Sequence, residues 1–376
     1  MKYRKFPNER DVSALGFGCM RLPEATPGGR AVDREKTIPM LRYAIDNGVN
    51  YIDTAYGYHG GDSEAVVGEA LAGGYREKVI LATKLPPWQV KQPADMRRIF
   101  GEQLKRLRTD HIDVYLLHAL NKQSFATMKD MGALAFLDEL KKDGLIKHAG
   151  FSFHDDFEVF KAIIDAHKFD VCQLQLNIID ADKQATLEGM RYAAARGVSV
   201  IIMEPLRGGA LANVPDDVRR IYDSYPVRRT PVDWALRYML HFPEAITVLS
   251  GMGEMEQAKE NIRICSEAEA GGMAADELRI IGEVKACYEG RARVPCTGCE
   301  YCLPCPQSVD IAEIFEVYNE AAMFDAWPRQ RRRYQAHFSG RGADLCVGCG
   351  ECEERCPQHI KIPQALKEAH AELSAV

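Results

Sequence analysis

Short apolar runs recur from residue 14 to residue 249, and a stretch of helical periodicity follows almost every one. The runs near 14–22, 49–53, 79–83, 112–117, 147–151, 171–176, 198–203 and 246–249 have the length and boundaries of strands. Between and after them, apolar residues return every three or four positions near 34–47, 62–72, 93–107, 132–142, 155–166, 184–196, 231–241 and 255–264. Strict alternation of strand and helix predicts an α/β fold with a parallel sheet, here a (β/α)8 TIM barrel. No G-x-G-x-x-G follows a strand, which argues against a Rossmann domain. The polar residues 1–13 predict a short hairpin ahead of the barrel. Residues 266–290 read as a glycine-containing joint and one more helix. The expected domains are therefore 1–290, the barrel, and 291–376, a smaller module.

Length supports that division, because 376 residues exceed the roughly 250 of one barrel. The net charge of −6 gives no reason to expect nucleic acid or a membrane surface as partner. No apolar run is long enough to span a bilayer, and the start, MKYRKFPNER, has no apolar signal segment. A cytoplasmic protein is expected. Eight of the twelve cysteines fall between 296 and 356. Without a secretory signal, such clustering points to metal rather than disulfides.

Three strand-like runs end in a chemically active residue: Asp53, Lys84 and His118. In a (β/α)8 barrel, residues at the C-terminal ends of strands converge on one face, where active sites sit. The run YIDTAYGYHGGDSE (51–64) carries the first of them, then a glycine-loosened loop, with Ser63-Glu64 expected to open a helix. Asp53, Tyr58 five residues on, Lys84 and His118 together resemble the catalytic tetrad of the aldo-keto reductases. LGFGCMRL, SEAVVGEAL, DGLIKHAGFS and EQAKENI are similar to that family as well, over roughly residues 5–265.

The chemistry of the four types fits reduction of a carbonyl. The oxygen gains charge as hydride arrives and needs a proton donor. A phenol with a pKa near 10 is too weak an acid alone, and an adjacent ammonium favours its anion. Asp53 would hold Lys84 charged, and His118 would orient the carbonyl by a hydrogen bond. Singly, each residue has a plainer reading: a helix cap, a surface charge, a core histidine, a packing tyrosine. Tyr56 competes with Tyr58 but does not fit the family spacing.

The resemblance also implies nicotinamide-binding positions. Gly18, Cys19 and Met20 would line the nicotinamide side, and Ser152 and Gln173 would bind the carboxamide. Two departures stand out. The family's Asn beside the serine is Phe153 here, and Met203 stands where many members stack an aromatic on the ring. Aligned on Glu260-Asn261, the family's 2′-phosphate cations are replaced by Gly251 and Gln257, so NAD is expected at least as readily as NADP. The GMGE loop and the helix start after it remain suited to a pyrophosphate.

The tail holds CTGCEYCLPCP (296–306) and CVGCGECEERCP (346–357). The second is the C-x2-C-x2-C-x3-C-P run that ligates [4Fe-4S] clusters, whose last cysteine serves the other cluster. The first set departs in the spacing of its last pair. Structural zinc is the alternative, but zinc sites favour paired knuckles over triple C-x2-C-x2-C. The crossed rule assigns Cys296, Cys299, Cys302 and Cys356 to one cluster, and Cys346, Cys349, Cys352 and Cys305 to the other. A helix near 309–325 separates the sets, as in an α-helical ferredoxin-like domain. Few apolar residues lie between the cysteines, so cluster loss is expected to unfold the tail. The basic run RQRRRYQ (329–335) reads as a solvated face or as a docking patch for a ferredoxin or flavodoxin electron carrier.

The whole resembles an iron–sulfur-containing aldo-keto reductase, reducing an aldehyde or ketone with NAD(P)H or with electrons relayed by its clusters. Two other readings are a cluster-fed reductase with a non-nicotinamide cofactor such as flavin, and a non-enzymatic redox or iron sensor.

Overall fold

The computed structural model describes residues 1–375. Strands β1 (Tyr3–Arg4) and β2 (Val12–Ser13) form the expected hairpin. Eight parallel strands then close a barrel: β3 (Leu15–Gly18), β4 (Tyr51–Asp53), β5 (Ile80–Leu85), β6 (Ile112–Leu120), β7 (Ile146–Phe153), β8 (Val171–Gln175), β9 (Ser199–Met203) and β10 (Ala245–Gly251). Around the barrel run α1 (Arg34–Asp46), α2 (Asp62–Ala70), α3 (Pro93–Leu107), α4 (Lys122–Asp130), α5 (Ala133–Lys142), α6 (Phe157–Ala166) and α7 (Thr186–Ala195). Helices α8 (Asp216–Asp223), α9 (Pro231–His241), α10 (Met255–Glu267) and α11 (Ala275–Gly290) follow in the chain.

The pleat decides which residues face inward, because side chains alternate across a strand. Tyr51, Ile80, Ala82, Val114 and Leu116 pack together inside the barrel, joined by Phe6 and Val12 where the strands begin. Ile52, Leu81, Tyr115 and Leu117, one position out of phase, pack in the outer core against the helices. Continuing the inner series by two residues reaches Asp53, Lys84 and His118. Register sets Asp53 opposite Ala82 and Lys84 opposite Leu116, so Lys84 and His118 each lie two residues beyond the partner of the one before, all three near the C-terminal ends of their strands.

The chain forms two compact units. The first comprises Met1–Ala212 and Arg229–Leu278, and the second takes in Asn213–Arg228, hence α8, and the chain from Arg279. The expected boundary at 290 lies at the C-terminal end of α11, whose residues from Arg279 onward group with the second unit.

Tail helices α12 (Ile311–Met323), α13 (Trp327–His337), α14 (Glu351–Arg355) and α15 (Ile362–Leu373) complete the second unit. Ile314, Phe315, Tyr318, Tyr334, Leu366 and Leu373 form a core there, and the cysteine loops pack against it. Only α12 was expected. The short basic α13 carries few apolar positions and is tied to that core through Tyr334, whereas α15 presents Ile362, Leu366, Ala369 and Leu373 to it at helical spacing.

Candidate active site and cysteine module

A cavity of about 1160 Å³ opens at the C-terminal ends of the barrel strands. Asp53, Tyr58 and His118 line it, and Lys84 lies fully buried just beneath. The Lys84 ammonium donates to Asp53 Oδ1 at 2.7 Å, to the Thr54 carbonyl at 2.9 Å and to the Tyr58 hydroxyl at 3.3 Å. Since Lys84 donates to that oxygen, the phenolic proton is free to point into the cavity. The His118 ring meets the Tyr58 ring edge-on at 5.7 Å and lies 5.1 Å from Trp88.

Burial dominates the electrostatics. It would lower the Lys84 ammonium, but Asp53 and Tyr58 outweigh it and hold Lys84 above its ordinary range. Burial raises the Tyr58 phenol, and Lys84 pulls it part of the way back. His118 is pushed well below the usual histidine range, first by burial and then by Lys84 and His154, so it is neutral at pH 7. A neutral imidazole can still donate one hydrogen bond.

A second layer was not found from sequence. Glu64, fully buried, accepts from Thr83 Oγ1 at 2.7 Å and Gln103 Nε2 at 2.9 Å, and pairs with Arg106 at 3.2 Å. Gln103 also donates to the Lys84 carbonyl at 3.0 Å, so α2 and α3 hold the end of β5 in place. Glu64 was read only as part of a helix start. The helix begins at Asp62, as the periodicity near 62–72 predicts, after Gly61 in the left-handed region at φ 99°. A charged residue on the apolar face of α2, beside Val67, was the available signal.

The positions assigned to a nicotinamide are mostly brought together. Gly18, Met20, Ser152, Gln173 and Met203 line the cavity, as do Gly251, Gln257 and Asn261. Ser152 Oγ accepts from the Ala119 amide at 2.7 Å, which leaves its own proton to donate. Gln173 donates to Met203 Sδ at 3.4 Å, while its Oε1 is buried without a partner. An orphaned acceptor on the wall suits the amino group of a carboxamide, so these residues fit the group. Cys19 is different: it is fully buried, with its thiol 3.9 Å from the Phe17 carbonyl and away from the wall. Phe153 packs edge-on against Phe151 and Phe160 in the core. Its phase on β7 is opposite to that of Ser152.

On the far side, Gln257 Oε1 accepts from the Gly253 amide at 2.8 Å and caps α10. Asn261 donates to Ser250 Oγ at 3.0 Å. Arg207 pairs with Asp180 at 3.1 Å, and Arg263 reaches Asp233 at 3.3 Å and Glu267 at 3.2 Å.

In the tail, Cys296, Cys299, Cys302 and Cys356 line one small cavity with Phe315, Ile360 and Ile362. The last cysteine of the second set thus joins three of the first. The Cys352 thiol is pushed up to about 11 by burial, then by Cys346, Cys349 and Cys302 as neighbours. No three His, Cys, Asp or Glu side chains among the described residues converge as ligands of a single ion. Four thiols around a cavity are the donor set an iron–sulfur cubane requires.

The closed parallel barrel with its Asp–Lys–Tyr contact, followed by a two-set cysteine module, defines an oxidoreductase scaffold with an iron–sulfur tail. Residues 14–275 match the aldo/keto reductase family model, and residues 295–360 match a 4Fe-4S dicluster domain. The chain belongs to the aldo/keto reductase family. It is 25% identical over 315 residues to the uncharacterized oxidoreductase YqkF of Bacillus subtilis, covering 75% of this chain and 95% of that one. It is 26% identical to the NADH-specific methylglyoxal reductase of Escherichia coli, over 67% of this chain and 89% of the relative. Among solved structures, the holo form of aldo-keto reductase AKR11C1 from Bacillus halodurans superposes with a TM-score of 0.63 at 27% identity. That likeness covers 76% of this chain and 96% of the other. Among the described residues no helix is long and apolar enough to cross a membrane.

Proposed function

We propose that the barrel reduces a small aldehyde or ketone, with Tyr58 as the proton donor. The contact of the Lys84 ammonium with both Asp53 and the Tyr58 hydroxyl carries this reading. A nicotinamide bound by Ser152 and Gln173 would supply hydride to the carbonyl carbon. Tyr58 gives its proton to the carbonyl oxygen, Lys84 stabilises the phenolate left behind, and neutral His118 orients the oxygen. Asp53 keeps Lys84 charged and fixed. The test is oxidation of NADH or NADPH at 340 nm by anaerobically purified protein with a panel of small aldehydes and ketones. Absence of turnover across the panel overturns the reading.

The dinucleotide follows from the far wall. Gly251 is uncharged, Gln257 is spent on a cap, and Arg207 and Arg263 are engaged by acids, so none of these four positions offers a 2′-phosphate its cation. The name of the E. coli relative, NADH-specific, agrees with this. NADPH is expected to bind no more than about tenfold tighter than NADH, roughly 1.4 kcal/mol, in a fluorescence titration. A stronger preference would mean that another cation, such as Arg21 on the same wall, turns to the phosphate.

In this reading the eight tail cysteines hold two [4Fe-4S] clusters, and about eight iron and eight sulfide per chain are expected on elemental analysis. Zinc in their place, or one cluster after full reconstitution, would overturn it. The tail core changes what cluster loss should do. Because Phe315, Tyr334 and Leu366 belong to an apolar core of the tail helices, chelation should leave most helical circular dichroism while making the cysteine loops protease-sensitive. Electrons would reach the clusters from a small acidic carrier, ferredoxin or flavodoxin. On α13, Arg331 and Arg333 are tied to the Glu372 carbonyl and to Glu320, and Arg329 and Arg332 face outward to meet it.

A further inference from the structure

The turn that carries Tyr58 ends in two glycines, and each accommodates an arginine from a distant part of the chain. A Cβ on Gly60 would lie 3.2 Å from Arg30 Cδ, and one on Gly61 would lie 2.9 Å from Arg106 Nη1. Both glycines have positive φ, 67° and 99°, so the turn needs glycine for its backbone as well as for this close approach. Arg30 and Arg106 both line the cavity that holds Tyr58, Trp88 and His118.

The two cations differ in what they have already met. Arg106 is compensated: its Nη1 bonds Glu64 Oε2 and the Tyr56 carbonyl, each at 3.2 Å. Arg30 is exposed and has no acid or hydrogen-bond partner among the described residues. The carboxylates on the wall are occupied elsewhere. Asp53 holds Lys84 at 2.7 Å, Glu204 lies 3.9 Å from Arg21, and Glu260 accepts from Thr230 Oγ1 at 2.8 Å. Among the described residues that line the cavity, Arg30 is the cation left without an acid, and its stem lies against Gly60 in the turn that carries Tyr58.

We propose that the site takes a carbonyl compound bearing its own anionic group, a carboxylate or a phosphate, which Arg30 binds while the carbonyl lies at Tyr58. The inference rests on the carbonyl-reducing reading and adds the substrate's second functional group to it. A planar guanidinium matches either anion through two parallel N–H donors. Held at the cavity mouth, it would also attract such substrates over neutral ones of equal size.

The test compares matched pairs with the full-length holoprotein: 4-oxobutanoate against its methyl ester, and glyceraldehyde 3-phosphate against glyceraldehyde. In at least one pair, kcat/KM for the anionic member should exceed that for the neutral one by about tenfold or more, the usual worth of one charge-assisted bond. Which pair shows it separates carboxylate from phosphate. The ratio should collapse about tenfold in Arg30→Gln, be largely kept in Arg30→Lys, and shrink as NaCl screens the exposed cation. Arg97→Gln, a surface change on α3 whose partner is Glu139, should leave the ratio where it was. Equal turnover within both pairs, or a ratio untouched by Arg30→Gln, overturns the inference and leaves carbonyl reduction standing. No turnover of any member, nor of any aldehyde in the wider panel, overturns both.

Discussion

Tyr58→Phe is expected to lower kcat by about 10²–10⁴, the usual worth of a positioned acid, with substrate and cofactor binding nearly unchanged. The substitution keeps the ring and therefore its edge-on contact with His118 at 5.7 Å. It removes only the oxygen that faces Lys84 at 3.3 Å. Single-turnover kinetics would place the loss in the chemical step, and a fluorescence titration would show the cofactor still bound. Tyr56→Phe is the control. The Tyr56 hydroxyl donates to Glu102 at 2.6 Å rather than meeting Lys84, so its loss should be mild. Normal turnover by Tyr58→Phe on any substrate would remove Tyr58 from the chemistry.

Lys84→Met should harm both rate and stability, for separable reasons. Activity should drop as far as in Tyr58→Phe, because the phenolate loses its stabilising charge. Lys84 lowers the Tyr58 phenol, so its removal raises that group further. A reduction that needs the protonated phenol is lost as pH rises through the phenol's pKa, so its alkaline limb should move to higher pH in the variant. Stability should fall by about 3–5 kcal/mol, since Asp53 is then a buried carboxylate without its partner. Chemical denaturation measures that change. Adding Asp53→Asn removes the stranded charge and should return much of the stability and none of the rate. If the double variant recovers activity, Lys84 has no role at Tyr58.

Barrel strands were legible because each is a short apolar run closed by a turn, a pattern that survives without knowledge of its neighbours. The tetrad positions were legible for the same reason: a residue at the end of such a run in a parallel barrel has one place to go. The tail helix α13 was not. A sequence such as WPRQRRRYQAH has no apolar stripe, and its helix is held by Tyr334 and by Arg333 meeting Glu320. Phe153 illustrates a subtler limit. It stands where the family has an Asn beside the carboxamide-binding serine. Its place in the Phe151–Phe160 cluster shows that it packs the outer core, while Ser152 beside it faces the cavity.

The sequence by itself determined the alternation that makes a parallel barrel, the residues at its strand ends and the two sets of four cysteines. These are local signals, carried by spacing along the chain. Tertiary structure decided what each residue meets. It placed Lys84 between Asp53 and Tyr58, brought Cys356 to the cavity of Cys296, turned Cys19 away from the wall, and left Arg30 without an acid partner among the described residues. Each of those outcomes joins segments tens of residues apart. Their physical basis is the closure of the barrel and the packing of loops over it, neither of which a run of amino acids encodes at a single position.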